Sequence, residues 1–313
     1  MSFTHEFSCT LAAPPGGVFA ALCDGAALTH WFAEHAEVGD AVGRPYRFWG
    51  RHSLDTPAPS DATQRITRLE RDRALAFDWT LAGKPTEVTM VLGEEGGGTR
   101  VVLRHAVNGT MDRPRPKALI DDHWRLALGN LSMHLAGGEG IVLPDYTDPA
   151  PCIRRVVMID APRAVVFRCL IEPAPINQWF ATKCAEVEPH VGGRYSVNWR
   201  YEIDGRPVQG GPTRILALDP DARLVLDWPD WRGDTSVDGQ TISFELASVG
   251  TGTRLTFVHA GFERAADLSD YPFGWRWFLA ELTRVVATLG AVPPGGEGAT
   301  SVDTEPGRSM GRS

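Results

Sequence analysis

The chain has 313 residues, 43% of them apolar and 22% charged, with a formal net charge of −8. That length exceeds the usual single domain, and the composition is that of a globular protein able to bury proper cores. The acidic balance argues against a nucleic-acid partner and against an anionic membrane surface. No apolar stretch approaches membrane-spanning length, the N-terminal segment lacks a secretory pattern, and cytoplasmic residence is expected. The five cysteines fall at no disulfide or zinc spacing.

Taken in order, Phe3, His5, Phe7, Cys9 and Leu11 alternate with polar residues as a first strand. Ala13-Pro14 then opens a pair of short helices that ends in Trp31-Phe32-Ala33. Strands are expected around Tyr46 and Phe48, and over Thr63–Leu69, Ala74–Leu81, Thr86–Leu92 and Thr99–His105. Turn-forming Asp72, Gly83-Lys84-Pro85 and Gly96-Gly97-Gly98 separate them. A helix over about Asp121 to Leu135 closes the unit.

After Leu143 the proline-rich stretch 144–151 reads as a linker, and then the pattern restarts. Pro162, Val166-Phe167 and Trp179-Phe180-Ala181 answer Pro14, Val18-Phe19 and Trp31-Phe32-Ala33, all 148 positions apart. Tyr195 answers Tyr46, Asp227-Trp228 answers Asp78-Trp79, His259 answers His105, and Trp275 answers Trp124. The last helix carries one apolar stripe, Trp275, Phe278, Leu279, Leu282, Val286 and Leu289. The expected organisation is therefore a domain over 1–143, a linker over 144–151, a second domain over 152–290 and a disordered tail over 291–313. Each domain is expected to be α+β. A curved antiparallel sheet covers its apolar face with the long C-terminal helix, and a ligand cavity is expected between the two.

The ordered set Ala-Pro, Val-Phe, Trp-Phe, Gly-Gly-Arg-Tyr, Asp-Trp and Gly-Thr-Arg-Leu-Thr-Phe-Val-His-Ala-Gly-Phe resembles the activator-of-heat-shock-protein-90-ATPase homologue family. That family lies within the START and pollen-allergen-like (SRPBCC) superfamily. The resemblance implies two tandem helix-grip domains. It leaves function open among ligand carriers, cyclases, hydrolases and co-chaperone modules.

His105 and His259 stand on the inward faces of their strands, where a histidine can orient a ligand, act as acid or base, or tie strand to helix. Tyr46, Trp79, Tyr195, Trp228 and Trp199 share inward faces, as a ligand-stacking wall or as plain core. Trp31 and Trp179 are placed at a cavity mouth. Asp78 and Asp227 alternate outward, against an acid–base role. The glycine runs open no phosphate-cradling helix, and His30, His35, His52 and His190 are spread singly. No cofactor or metal is expected. The primary reading is carriage or sequestration of a hydrophobic small molecule, since no nucleophile with an adjacent base can be picked out. The alternatives are a polyketide-type cyclase, aromatase or hydrolase using His259 and Tyr195, or a chaperone cofactor. A protein partner is compatible with the sequence but not indicated by it.

Overall fold

The structure, a computed structural model, describes residues 2–203, 205–230 and 239–290. The expected disordered tail over 291–313 lies outside the described residues. The first unit runs β1 (Phe3–Leu11), α1 (Pro15–Cys23), α2 (Gly25–Trp31), β2 (His35–Val38), β3 (Tyr46–Trp49), β4 (Ile66–Glu70), β5 (Ala74–Leu81), β6 (Lys84–Glu95), β7 (Gly98–Val107) and α3 (Pro116–Leu135). The second runs β8 (Ile153–Ile159), α4 (Arg163–Ile171), α5 (Pro173–Trp179), β9 (Glu186–Val187), β10 (Tyr195–Ser196), β11 (Trp199–Ile203), β12 (Arg206–Gly210), β13 (Ile215–Asp219), β14 (Arg223–Asp227), β15 (Thr241–Val249), β16 (Gly252–Ala260), a 3-10 turn (Ala265–Leu268) and α6 (Tyr271–Gly290). The two main sheets have the same antiparallel order, β1-β7-β6-β5-β4 and β8-β16-β15-β14-β13. Both units are helix-grip domains.

The repeated residues explain why the two units fold alike. The last carbonyls of a helix have no intrahelical partner, and a buried one must find another donor. Trp31 Nε1 donates to Ala21 O at 3.1 Å and Tyr46 Oη to Leu22 O at 2.8 Å, which satisfies the end of α1. Trp179 Nε1 and Tyr195 Oη do the same for Cys169 O and Leu170 O at the end of α4, at 2.8 and 2.9 Å. Asp78 and Asp227 are structural too. Each accepts the backbone N–H at the start of the neighbouring edge strand, from Arg65 at 2.5 Å and from Arg214 at 2.9 Å. In both units the register shifts just beyond that point, between Ile66 and Arg68 and between Ile215 and Ala217. The side chain thus holds backbone that the irregular ladder leaves unpaired.

Some boundaries move. The strand expected from Thr63 begins at Ile66, and the one expected over Thr86–Leu92 extends to Lys84–Glu95. The helix expected from Asp121 begins at Pro116, whose fixed φ and missing N–H suit a first turn. On α6 Trp275, Leu279, Leu282 and Val286 are buried, with Val285 added, while Phe278 is half-buried and Leu289 is 39% exposed.

The two units touch through α3 and the start of α6. Arg115 pairs with Glu263 at 2.9 Å and Arg125 with Asp270 at 3.4 Å, while Arg276 donates to Glu139 O at 2.9 Å. Ala266, in the 3-10 turn of the second unit, is fully buried within the first unit's core. The segment over 144–151 starts as a strap on the first unit. Tyr146 N–H donates to Arg51 O at 2.9 Å, and the Asn130 amide clamps both polar groups of Val142 at 2.8 Å.

Gly129 marks a tight point of the contact, since a Cβ there would lie 2.1 Å from the Phe273 ring. Gly129→Val should therefore lower stability by ~1–3 kcal/mol through overpacking. Gly17→Ala is the control, because its Cβ would meet only Pro14 at 3.9 Å. Thermal unfolding of the two variants checks this; equal melting temperatures would mean that α3 and α6 do not pack as described.

Candidate functional site

The two units differ in what they leave empty. In the second, a cavity of about 600 Å³ lies between the β11–β12 hairpin and the first turns of α6. In the first, the corresponding space is a crevice of about 10 Å³ bordered by Trp31, Phe32, His123 and Tyr146. One repeated position accounts for part of the difference. With Trp275 answering Trp124, Gly274 falls where the first unit has His123. The His123 ring is buried among Phe32, Trp79 and Trp124, with centroids 5.0 to 5.8 Å away, and its Nδ1 meets Tyr146 Oη at 2.8 Å. At Gly274 a Cβ would meet only the Phe278 ring, at 3.9 Å. The missing side chain opens part of the space.

The hairpin supplies the opposite wall. A Cβ at Gly210 would lie 2.4 Å from the Tyr201 ring, and one at Gly211, where φ is +83°, 2.6 Å from Val197. Glycine is required there for the chain to turn this close to its own aromatic residues. Trp199 stacks on Phe278 with centroids 5.5 Å apart, and Trp228 meets Trp275 at 5.1 Å. Trp228 Nε1 donates to Tyr271 Oη at 3.0 Å. Among the described residues, Glu202, Asp270 and Arg125 are the charged groups of the lining, and Arg125 comes from α3 of the other unit. Burial first, then the carboxylates of Asp230, Asp122 and Asp270, push the Tyr271 hydroxyl above its ordinary range, against the opposing hydrogen bond from Trp228.

The residues singled out in the sequence divide clearly. Trp199 and Trp228 line the open cavity, and Trp31 borders the closed crevice. Tyr46, Trp79 and His105 are buried in the first core, and Tyr195, Trp179 and His259 in the second. The histidines tie sheet to helix. Trp124 Nε1 donates to His105 Nδ1, and Trp275 Nε1 to His259 Nδ1, both at 3.0 Å. Each ring accepts at Nδ1 and so carries its proton on Nε2. At His259 that proton goes to Gln240 Oε1, 3.1 Å away. In the first unit Thr86 takes the place of Gln240, judged by the matching registers of Val88 with His105 and Ile242 with His259. Its shorter side chain donates instead to Trp79 O. The cavity residues missed in the sequence are Tyr271, Phe273, Arg125, Asp270 and Glu202. For Gly274 a signal existed, the glycine opposite His123 in the aligned repeats.

Among the described residues, no group of three His, Cys, Asp or Glu side chains could hold a metal ion. No described helix is long and apolar enough to cross a membrane.

Fold and cavity together define a duplicated helix-grip protein with one hollow unit and one filled one. The profile of the family described as Activator of Hsp90 ATPase homolog 1-like protein matches residues 12–136 and again 160–287, and the chain belongs to that family. Among solved structures it is similar to DynU16, a protein of the dynemicin biosynthetic locus, with 16% identity, 92% of this chain and 98% of that one covered, and a TM-score of 0.38. It is also similar to MLL2253 from Mesorhizobium loti (22% identity, 44% and 98% covered, TM-score 0.36). A third is CalU16 from Micromonospora echinospora (25% identity, 43% and 77% covered, TM-score 0.36). Comparison with curated proteins finds no match.

Burial holds His105, His123 and His259 each down to about 3, with neighbouring histidines adding to the effect at His105. In the unfolded chain they titrate near ~6.5. The unfolded state therefore binds more protons below that value, and stability falls as the pH drops from 6.5 towards 3. Each histidine contributes at most ~1.4 kcal/mol per pH unit in that window. Melting temperatures between pH 7 and 4.5 should show this slope, and it should flatten in His259→Gln. An unchanged slope would mean that His259 is not buried and neutral.

Proposed function

We propose that the second unit binds a hydrophobic small molecule in its cavity, and that the protein carries or sequesters it. The observation that carries this reading is the contrast of about 600 Å³ in one unit with about 10 Å³ in its duplicate. Two copies of one fold with equivalent helix pins need no cavity at this position for stability, because the first copy all but closes it. A space of several hundred Å³, walled by aromatic side chains with a few polar groups, has the dimensions of a small-molecule site.

Binding is favoured over a cyclase or hydrolase because the two groups considered as acid and base face the core. His259 is held between Trp275 and Gln240, and Tyr195 donates to Leu170 O. Among the described residues, the ionisable groups of the lining are Arg125, Tyr201, Glu202, Asp270 and Tyr271, which include no nucleophile beside a base. The chaperone role in the family's name needs a protein-binding surface, and the deciding observation here is a cavity.

N-phenyl-1-naphthylamine, an uncharged fluorescent probe, should bind the full chain saturably. Gly274→Leu places a side chain in the cavity and should weaken that binding at least tenfold. The same change should preserve or raise the melting temperature, because glycine within a helix costs ~1 kcal/mol relative to good helix formers. Saturable binding that is unchanged in Gly274→Leu would move the site elsewhere, and no saturable binding to the parent chain would overturn the reading.

A further inference from the structure

We propose that Tyr271 is a hydrogen-bond donor of this cavity, and that the ligand is an uncharged apolar molecule with a carbonyl oxygen facing that hydroxyl. The inference rests on the cavity reading above and gives it a ligand chemistry and a residue that selects for it.

The direction of one hydrogen bond carries the assignment. An indole N–H can only donate, so in the 3.0 Å bond between Trp228 Nε1 and Tyr271 Oη the phenol is the acceptor. The hydroxyl proton of Tyr271 then points elsewhere, and among the described residues it meets no acceptor. His259, whose ring centroid lies 4.8 Å from that of Tyr271, has none to offer. Its Nδ1 already accepts from Trp275, and its Nε2 proton goes to Gln240. Trp228 and Tyr271 both line the cavity, so a ligand oxygen in that space can receive the proton. A hydroxyl that accepts one hydrogen bond donates the next more strongly, because linked bonds polarise one another.

The filled unit lacks this donor. Trp79, His105 and Trp124 repeat Trp228, His259 and Trp275, yet the place of Tyr271 falls to Ile120, which is buried and has no polar atom in its side chain. The shared framework therefore does without the phenol, which occurs in the copy that holds the cavity.

The protonation of the phenol sets the charge of its partner. Burial is the largest cause holding the Tyr271 hydroxyl above its ordinary range, so it is protonated and can donate at neutral pH. The same burial opposes an anionic ligand oxygen beside it. The carboxylates of the lining, Glu202 and Asp270, are exposed, where water competes for them. A ketone oxygen accepts the proton without bringing charge into the site. A hydrocarbon of the same shape would leave it unpaired, and a site built around a polar group rejects the analogue that cannot satisfy it.

The test compares fluorenone with fluorene, which has the same flat skeleton without the oxygen, as competitors of bound N-phenyl-1-naphthylamine. The preference is the concentration of fluorene that displaces half of the probe divided by that of fluorenone. It should fall about two- to tenfold in Tyr271→Phe, the range of one neutral hydrogen bond. The infrared carbonyl stretch of bound fluorenone should lie below its position in hexane and move back towards it in the variant. An unchanged preference, or a bound stretch at the hexane position, would overturn the assignment of Tyr271 and leave the cavity reading in place. Displacement of the probe by neither compound would overturn the ligand class. If Tyr271→Phe does not fold, the infrared measurement on the parent chain decides alone. If the probe itself does not bind, both readings fall together.

Discussion

Each unit depends on one hydrogen bond at the centre of its core, donated by a tryptophan indole of the long helix to a histidine of the last strand. Trp124 and Trp275 are almost completely buried, and so are His105 and His259. By magnitude, burial of the indole is the larger contribution. Truncating such a ring costs ~3–5 kcal/mol, against ~0.5–1.5 kcal/mol for one neutral hydrogen bond. The bond does what burial cannot, because burial has no direction. It fixes the rotation and height of the helix on the sheet. It also leaves the imidazole neutral with a defined tautomer, since the ring must accept at Nδ1.

With the helix fixed in that way, the residue one position before the tryptophan faces whatever lies between helix and sheet. In the first unit it is His123, and the space is solid with rings and closed by Tyr146 from the strap. In the second it is Gly274, and the chain opposite rises into the β11–β12 hairpin. Duplication separates two tasks that one domain would have to reconcile. The filled copy lends Arg125 to the margin of the cavity and seats Phe273 on Gly129. The hollow copy can then tolerate an open space between its hairpin and its long helix.

Much of the fold was legible because repetition supplied a second reading of every element. Alternation marked β1, the Trp-Phe-Ala ends marked the helix pairs, and the stripe from Trp275 marked α6. The inward direction of Trp228 and Trp199 could also be read, since strand periodicity assigns faces. What could not be read was which inward aromatics meet empty space. Tyr195 and Trp199 share a type and a neighbourhood, yet one is committed to a helix carbonyl and the other to a cavity wall. Asp270 and Arg125 were beyond reach for a different reason. They stand 145 positions apart in sequence, and their meeting depends on how two domains dock, which no local pattern encodes.

The distribution of indoles has an optical consequence. Trp31, Trp79 and Trp124 are sealed in the filled unit, whereas Trp199, Trp228 and Trp275 border the hollow one. A ligand that absorbs in the near ultraviolet would accept excitation most efficiently from the second set, which it would touch. Loading of the protein would thus be visible in its own emission, without any label attached.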